Sequence, residues 1–244
     1  MMNTQQIFQI ATLGEQPEPI IYLLKAYPNT KKIFLICSDK SVDYSEPIEK
    51  TCDILDIDVD KRIIQPQKIS NIIKEIIIIA KECGYSPPVF YGIRSKKPHK
   101  IIKEAKAKKR ENANIFINIT GGTKVMSSAA LYSAYLIGAK AFYVWKNDDN
   151  GDMEIINLPT LNLSIENFLS PVRLKILGVL YEKQKVKSSE EIRKDTEIQK
   201  STISHIIREL EKINLVKTTG GRSKYLQTEI TEEGRLIYEI YGKR

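Results

Sequence analysis

Two hydrophobic patterns alternate along residues 1–160 of the chain. Short, largely apolar runs, such as KKIFLICS at residues 31–38 and NIFINIT at residues 114–120, are separated by stretches whose apolar residues recur every three or four positions. Runs of the first kind are typical of strands that are buried on both faces, and the second pattern is typical of amphipathic helices. The alternation predicts an α/β domain with a Rossmann-like parallel sheet.

The predicted strands of this part cover residues 5–12, 31–38, the neighbourhood of Ile63, 114–120 and 140–145. The predicted helices cover residues 19–27, 46–55, 69–80 and 124–139. One face of the third helix, at 3.6-residue spacing, is expected to be buried, and it holds Ile69, Ile72, Ile73, Ile76, Ile77 and Ala80. Residues 88–93 are either a further short strand or an insertion, and residues 99–111 are a predicted basic helix.

The pattern changes at about residue 164, after a connection that begins as a polar stretch, continues as a short predicted strand and ends as a proline-containing linker. Three predicted helices follow at residues 170–184, 188–197 and 199–216, and the inward face of the third is expected to hold Ile203, Ile206, Ile207, Leu210 and Ile213. Residues 217–231 predict a hairpin around two glycines, and residues 232–241 predict a last helix. The chain therefore divides into a predicted α/β domain at residues 1–160 and a smaller domain at residues 164–244.

Composition narrows the range of partners and cofactors. The 244 residues carry 38 lysines and arginines against 30 acidic residues, and this net charge of +8 favours anionic partners such as nucleic acid or phosphate ligands. Cys37, Cys52 and Cys83 show no CxxC spacing, and His99 and His205 are the only histidines. We therefore expect no metal site and no disulfide framework, but a protein of the reducing cytoplasm. We also expect neither a signal peptide nor a membrane span.

Two predicted strands end in glycine-containing loops, ATLGEQPEP at residues 11–19 and NITGGTK at residues 118–124. In an open parallel sheet, ligands bind beyond the carboxyl ends of the strands. Glycine lets a backbone approach a ligand closely, the N–H groups at a helix start favour an anion, and Thr120, Thr123 and Lys124 add hydroxyls and a positive charge. The second loop therefore predicts an anion-binding site, and the alternative is a tight turn with a purely structural role.

The order of elements after residue 164 resembles the winged helix-turn-helix fold of DNA-binding proteins. This resemblance implies that the third helix enters the major groove and that the hairpin is a wing. The residues expected to contact DNA are Gln199, Lys200, Ser201, Thr202, Ser204, His205 and Arg208 in the helix, and Arg222 and Lys224 in the wing. Acidic residues are expected to lie outside this docking face, namely Glu190, Glu191, Glu209 and Glu211. The alternative is a winged helix that serves only dimerisation or protein contact.

The motifs NITGGTKVM and TLGEQPEP, with a winged helix behind them, resemble the CRISPR-associated Rossmann-fold (CARF) proteins. The resemblance is closer to the CARF plus winged-helix transcription regulators. It implies a homodimer that binds a cyclic oligoadenylate, most often cyclic tetra-adenylate, across its two-fold axis, with no other cofactor. Carried onto this sequence, it assigns ligand binding to Thr12, Leu13, Gly14, Glu15, Asn118, Thr120, Gly121, Gly122, Thr123, Lys124 and Met126. Further candidates beside them are Ser38, Asp39 and Ser127.

The resemblance implies a ligand-responsive, DNA-binding regulator of antiviral CRISPR defence. One alternative that it also implies is a metal-independent ring nuclease, in which Lys124 and Thr12 would assist attack of a ligand 2′-hydroxyl on the adjacent phosphate. Another alternative is a regulator that responds to a different small anion. The basic segment at residues 94–110 either adds positive potential near the ligand or is a solvated face.

Overall fold

The computed structural model describes residues 6–85, 114–147, 150–159, 169–219 and 227–242. The chain divides into two compact units, one containing the described residues up to 159 and the other those from 169 onwards. The domain boundary expected at residues 160–164 lies outside the described residues and stays a prediction. The predicted strand at residues 88–93, the predicted basic helix at residues 99–111 and the tip of the predicted hairpin lie outside them as well.

The first unit is built on a twisted sheet. Its strands are β1 (Ile7–Thr12), β2 (Thr30–Cys37), β3 (Asp58–Ile63), β4 (Asn114–Asn118), β5 (Lys140–Lys146) and β6 (Met153–Leu158). They lie in the order β3-β2-β1-β4-β5-β6, and the five strands β1 to β5 pair in parallel. The predicted Rossmann-like parallel sheet is confirmed for these strands.

The edge strand β6 departs from the expected parallel sheet, because it pairs antiparallel with β5. Residues 147–152 connect the two strands, and a connection of this length closes a hairpin but cannot carry a crossover helix. The strand itself was expected, whereas its direction was not. Its alternation of exposed and half-buried residues fits an edge strand with one solvated face.

Helices cover both faces of this sheet. The helices are α1 (Glu18–Ala26), α2 (Glu46–Leu55), α3 (Ile69–Glu82) and α4 (Lys124–Ile137), and a 3₁₀ helix (Val42–Ser45) precedes α2. The chain moves outward from β1 to β3 and then crosses back to β4, so right-handed connections place α1 and α2 on one face and α3 and α4 on the other. The contacts agree, since α1 touches α2 and α3 touches α4. The strand order therefore reverses between β1 and β4, which creates a crevice at the carboxyl ends of these strands.

The apolar face predicted for α3 is largely confirmed. Ile72, Ile73, Ile76, Ile77 and Ala80 are buried between the sheet and α4. Ile69 was wrongly predicted to be buried: it is the first residue of the helix and is 42% exposed. Ile79 is buried instead, because α4 covers the flank of α3 and widens the face that is removed from water.

The second unit combines helices with a small antiparallel sheet. Its elements are α5 (Pro171–Lys183), β7 (Lys185–Val186), α6 (Ser189–Thr196), α7 (Lys200–Lys212), β8 (Val216–Thr219), β9 (Gln227–Ile230) and α8 (Glu232–Tyr241). The strand order β7-β9-β8, with α6 and α7 forming the helix pair, is that of a winged helix-turn-helix. The order and type of the predicted elements are confirmed for the described residues, except that the third helix ends at Lys212 and Val216 already belongs to β8. The two-residue strand β7 was not predicted.

Local signals explain where these helices start. Ser170 and Thr231 are N-caps, because their hydroxyl oxygens accept hydrogen bonds from the N–H groups of Arg173 and Gly234.

The apolar face predicted for α7 is largely confirmed, since Ile203, Ile206, Ile207 and Leu210 are buried. Ile213 is 43% exposed, contrary to expectation, because the helix has ended at Lys212 and the chain turns away there. Across the described residues, no helix is both long and apolar enough to cross a membrane.

Candidate functional site

A cleft of about 1010 Å³ opens at the carboxyl ends of the parallel strands, where the strand order reverses. The loops that follow β1, β2, β3 and β4 form its walls. Its lining residues are Leu13, Gly14, Glu15, Gln16, Pro19, Ser38, Asp39, Lys40, Ser41, Tyr44, Pro66, Gln67, Thr120, Gly121, Gly122, Thr123 and Met126. The volume suits a nucleotide-sized ligand, and the position is the one at which open α/β sheets bind ligands.

The two glycine-containing loops pack backbone against backbone on the floor of this cleft. A Cβ atom on Gly14 would lie 2.7 Å from the Gly122 nitrogen, and one on Gly121 would overlap the carbonyl oxygen of Thr12. These glycines therefore allow one loop to approach the other closely. The sequence had instead suggested that they allow the backbone to approach a ligand. Gly122 also has a positive φ of 78°, which favours glycine there.

Two hydroxyl groups fix the orientation of the Gly121–Gly122 peptide. The carbonyl oxygen of Gly121 accepts hydrogen bonds from Thr12 Oγ1 at 2.6 Å and from Ser127 Oγ at 3.1 Å. Because a trans peptide is planar, the N–H of Gly122 points away from these two hydroxyls. Within the described residues, no backbone carbonyl accepts a hydrogen bond from the N–H groups of Gly121, Gly122, Thr123 or Lys124. The loop thus holds a set of N–H donors in place without using them internally.

A buried network braces the same loop from behind. Asn118 is 1% exposed, and its Nδ2 donates to the Pro19 carbonyl at 3.3 Å. Its Oδ1 accepts from the Thr120 backbone N at 3.0 Å and from Thr120 Oγ1 at 2.6 Å. Thr120 Oγ1 in turn accepts from the Val144 N–H at 2.7 Å. The network ties the end of β4 to α1 and β5, so the loop is held rigidly.

The helix that follows the loop adds positive potential. Thr123 is the N-cap of α4, and its hydroxyl oxygen accepts from the N–H of Met126 at 3.3 Å. The remaining N–H groups of the first turn and the helix dipole both favour an anion at this end. Lys124, the first helical residue, is exposed and adds a full charge nearby. Such an arrangement of donors and positive charge suits phosphate oxygens as hydrogen-bond acceptors.

Most of the predicted ligand-binding residues meet in this cleft. Those that line it are Leu13, Gly14, Glu15, Thr120, Gly121, Gly122, Thr123 and Met126. Thr12, Asn118 and Lys124 are not among the described lining residues. Thr12 is fully buried and holds Gly121, and Asn118 holds Thr120, so both support the loop. The Thr12 hydroxyl already donates to Gly121 and is shielded from the cleft, which argues against the role predicted for Thr12 in ring cleavage. The role predicted for Lys124 stays a prediction.

Sequence reasoning missed much of the wall that follows β2 and β3, across the cleft from the glycine loop. Ser38 and Asp39 were weaker candidates, whereas Lys40, Ser41, Tyr44, Pro66 and Gln67 were not predicted. These residues follow β2 and β3, which neighbour β1 in the sheet. The signal available was positional: any loop at the carboxyl end of a strand beside the switch point is a candidate. Glu15, Asp39 and Lys40 are the charged residues among the described lining residues, so the cleft is not uniformly positive.

The second unit presents a polar face along α7. Gln199, Lys200, Ser201, Thr202, His205 and Arg208 are exposed, and Ser204 is half-buried. His205 is exposed as predicted, because it lies away from the row of buried isoleucines. Arg222 and Lys224 lie outside the described residues. The described part of the predicted DNA-contacting set therefore shares one accessible helix surface.

Acidic residues reach this face, contrary to expectation. Glu190, in the first turn of α6, contacts Lys200 Nζ at 3.0 Å and Arg193 Nη2 at 2.6 Å. Hydrogen bonds from Arg193, and then from Lys200, lower the pKa of Glu190 to about 2. Glu209 contacts Arg173 Nη2 at 2.6 Å and lies 3.6 Å from His205 Nε2. The hydrogen bond from Arg173 lowers the pKa of Glu209, and this pair joins α7 to α5.

Two family models match adjoining parts of the chain. Residues 93–170 match the family model described as the Card1 CARF domain, which includes the glycine loop and α4. Residues 170–218 match the model of bacterial regulatory proteins of the arsR family, a helix-turn-helix family. The loops after β1, β2 and β3 lie outside the first match. No curated protein matches the chain.

Solved structures give low similarity over long stretches. Can2 from Sulfobacillus thermosulfidooxidans, in complex with cyclic tetra-adenylate, is 13% identical over 96% of this chain and 61% of its own, with a TM-score of 0.36. Enterococcus italicus Csm6, bound to cyclic hexa-2′-fluoro-hexa-dAMP, is 12% identical over 87% of this chain and 55% of its own, with a TM-score of 0.41. Bordetella bronchiseptica BpsR, whose DNA binding is regulated by 6-hydroxynicotinic acid, is 22% identical over 29% of this chain and 50% of its own, with a TM-score of 0.27.

The chain spans 50% of the BpsR chain, 55% of the Csm6 chain and 61% of the Can2 chain. The two family models, by contrast, adjoin each other at residue 170, which is the N-cap of α5. The first match takes in strands β4 to β6 and helix α4, and the second takes in the helix pair α6 and α7. The chain therefore carries a stretch that matches a CARF domain, followed directly by a stretch that matches a helix-turn-helix family, in the order that the resemblance to the CARF plus winged-helix proteins predicts.

Proposed function

We propose that the protein is a ligand-responsive, DNA-binding transcription regulator of a CRISPR-Cas system. A cytoplasmic homodimer senses a cyclic oligoadenylate, cyclic tetra-adenylate first, through its CARF domains. One observation carries the proposal above the others: the N–H donors of Gly121, Gly122 and Thr123 are held in place, without backbone acceptors among the described residues, at the start of α4. That loop lies in the stretch matched by the CARF model, and this stretch ends where the helix-turn-helix match begins.

The ligand chemistry follows from the cleft. Phosphate oxygens of the ring meet the N–H groups of the glycine loop, and Lys124 adds long-range attraction from its exposed position. The sugars extend along the loop that contains Leu13 and Glu15, which lines the cleft. A ring with an even number of identical nucleotides matches a two-fold axis, since each protomer then presents the same groups to half of the ligand.

The DNA chemistry follows from α7. Gln199, Ser201 and Thr202 at its start carry the amide and hydroxyl groups that read base edges, and Arg208 supplies a phosphate contact. In a dimer, two such helices would read half-sites about 34 Å apart, one helical turn of DNA. Arg222 and Lys224 would add backbone contacts from the wing.

Calorimetric titration with cyclic tri-, tetra- and hexa-adenylate tests the sensing half of the proposal. We expect tight binding of one ring per dimer, and Gly121→Ala should abolish it, because the added methyl group would overlap the Thr12 carbonyl and displace the loop. Gly151→Ala is the control, since a Cβ there meets no atom within 4 Å, although Gly151, unlike Gly121, has a positive φ at which alanine is strained. Chromatography of the recovered ligand shows whether the ring is cleaved. Absence of binding to any ring would contradict the proposal.

A further inference from the structure

The wall of the cleft that follows β2 and β3 has no role in the account above. It lies across β1 from the glycine loop, because the strand order is β3-β2-β1-β4. It also lies outside the CARF match, which begins at residue 93. Its described side chains include Asp39, Tyr44 and Gln67. This wall therefore forms the far end of a cleft whose near end suits phosphate.

Tyr44 is an aromatic residue displayed in a polar cleft. It lies in the 3₁₀ helix Val42–Ser45 and is 41% exposed. Its N–H donates to the Ser41 carbonyl at 3.1 Å, and the Val42 N–H donates to the Ser38 carbonyl at 3.1 Å. The Ser38 N–H donates to Ser41 Oγ at 2.8 Å. The backbone that carries the ring is thus fixed, which lowers the entropic cost of using the ring as a contact surface.

Besides Lys40, whose charge suits phosphate, the same wall carries two polar side chains that suit a base better. Asp39 is exposed and carries a carboxylate, which repels phosphate and accepts hydrogen bonds from N–H donors. Gln67 is exposed and offers an amide oxygen and an amide N–H. An amide pairs with the amino group and N7 of adenine, and a carboxylate accepts from an exocyclic amino group. A tyrosine ring that lines the same cleft as such groups matches the way in which proteins stack and read an unpaired base.

We propose that Tyr44, Asp39 and Gln67 form an adenine subsite at the β2–β3 end of the cleft. Tyr44 stacks on the base, and Asp39 and Gln67 meet its amino group, while the glycine loop holds the phosphates. The subsite rests on the proposed function, since it assigns one part of the same ligand to one part of the same cleft. It gives the protein a means of distinguishing an oligoadenylate from other cyclic phosphodiesters of similar charge.

Titration of the full chain with cyclic tetra-adenylate tests the stacking role. Tyr44→Ala should raise the Kd about tenfold or more, the range found for loss of one stacked base. Tyr44→Phe should stay within about twofold, because stacking requires the ring and not the hydroxyl. Tyr22→Ala is the matched control: Tyr22 is 40% exposed, lies on α1 and is not among the described residues that line the cleft. It should bind like the wild type.

Cyclic tetra-inosinate, which lacks the amino groups, tests the reading of the base. The wild type should bind it at least tenfold more weakly than the adenylate ring, and Asp39→Asn, whose amide donates as well as accepts, should narrow that difference. Equal affinity of the wild type and Tyr44→Ala for cyclic tetra-adenylate would overturn the subsite and leave the proposed function intact. A wild type that binds no ring would contradict the proposed function itself, so the wild-type titration separates the two failures.

Discussion

At the scale of single residues, the cleft depends on side chains that the ligand does not meet. Thr12 belongs to a motif that the family resemblance assigns to the pocket, yet its hydroxyl faces inward and holds the Gly121 carbonyl. The sequence identified the residue but not its direction, because direction depends on the close approach of two loops that are distant in the chain. Glycine in these loops was predicted to allow close approach to a ligand, whereas the close approach seen at Gly14 and Gly121 is that of one loop to the other.

Thr12→Val removes this hydroxyl and keeps the shape of the side chain. One buried hydrogen bond is lost, so the free energy of unfolding should fall by about 1 kcal/mol. The Kd for cyclic tetra-adenylate should rise severalfold, because the peptide that offers the Gly122 N–H is less firmly held. Ser133→Ala is the control, since Ser133 is buried and donates to the Ala129 carbonyl at 2.8 Å. It should lose similar stability without losing affinity, and equal losses of affinity would remove Thr12 from the site.

Gln9 is a polar residue in the middle of the core. It is fully buried in β1, and its Nε2 donates to Thr30 Oγ1 at 2.8 Å. Its Oε1 has no hydrogen-bond partner in the described part of the chain, a condition that costs about 1–3 kcal/mol. Gln9→Met keeps the volume and removes the unpaired oxygen, so thermal unfolding should show equal or higher stability. Gln9→Ala leaves a cavity and should cost more than 2 kcal/mol, by analogy with buried truncations of about 2–5 kcal/mol. A strongly destabilised Gln9→Met would contradict this.

At the scale of elements, the hydrophobic pattern predicted the order and type of nearly every helix and strand. It succeeded because buried strands are continuous apolar runs and amphipathic helices repeat their apolar residues with a period of 3.6, as in α3 with its row of isoleucines. It failed where a neighbour decides the outcome. The direction of β6 depends on the length of a connection, and the exposure of Ile213 depends on where α7 ends. The wall after β2 and β3 contains no glycine motif, so its place in the cleft followed only from the strand order.

The junction of α6 and α7 predicts an effect on DNA affinity. Glu190 contacts Lys200 and Arg193, so duplex phosphates must compete with this carboxylate for both cations. Glu190→Gln should therefore tighten binding to a mixed-sequence duplex severalfold and steepen its salt dependence by about one to two released ions. Glu191→Gln is the matched control, because Glu191 lies on the same helix and accepts a hydrogen bond from the Lys187 N–H rather than from α7. Anisotropy titrations at several salt concentrations give both quantities. Identical behaviour of the two variants would show that only net charge matters.

At the scale of the whole molecule, two units with separate cores share one chain. A regulator requires that ligand in one unit changes the affinity of the other for DNA, and this requires unequal ligand affinity for two arrangements of the dimer. Coupling of this kind is typically about 1–3 kcal/mol and acts in both directions. The DNA should therefore change the ligand affinity by the same factor as the ligand changes the DNA affinity.

The most direct measurement is the affinity of the full-length protein for a duplex that it has selected from a random pool, with and without saturating cyclic tetra-adenylate. The account predicts a change of about 5- to 150-fold, in one direction, that Gly121→Ala abolishes. The reciprocal titration of ligand into the protein–DNA complex should give the same factor. If the DNA affinity is unchanged while the ring is demonstrably bound, the claim that ligand binding in the cleft regulates DNA binding through α7 is contradicted.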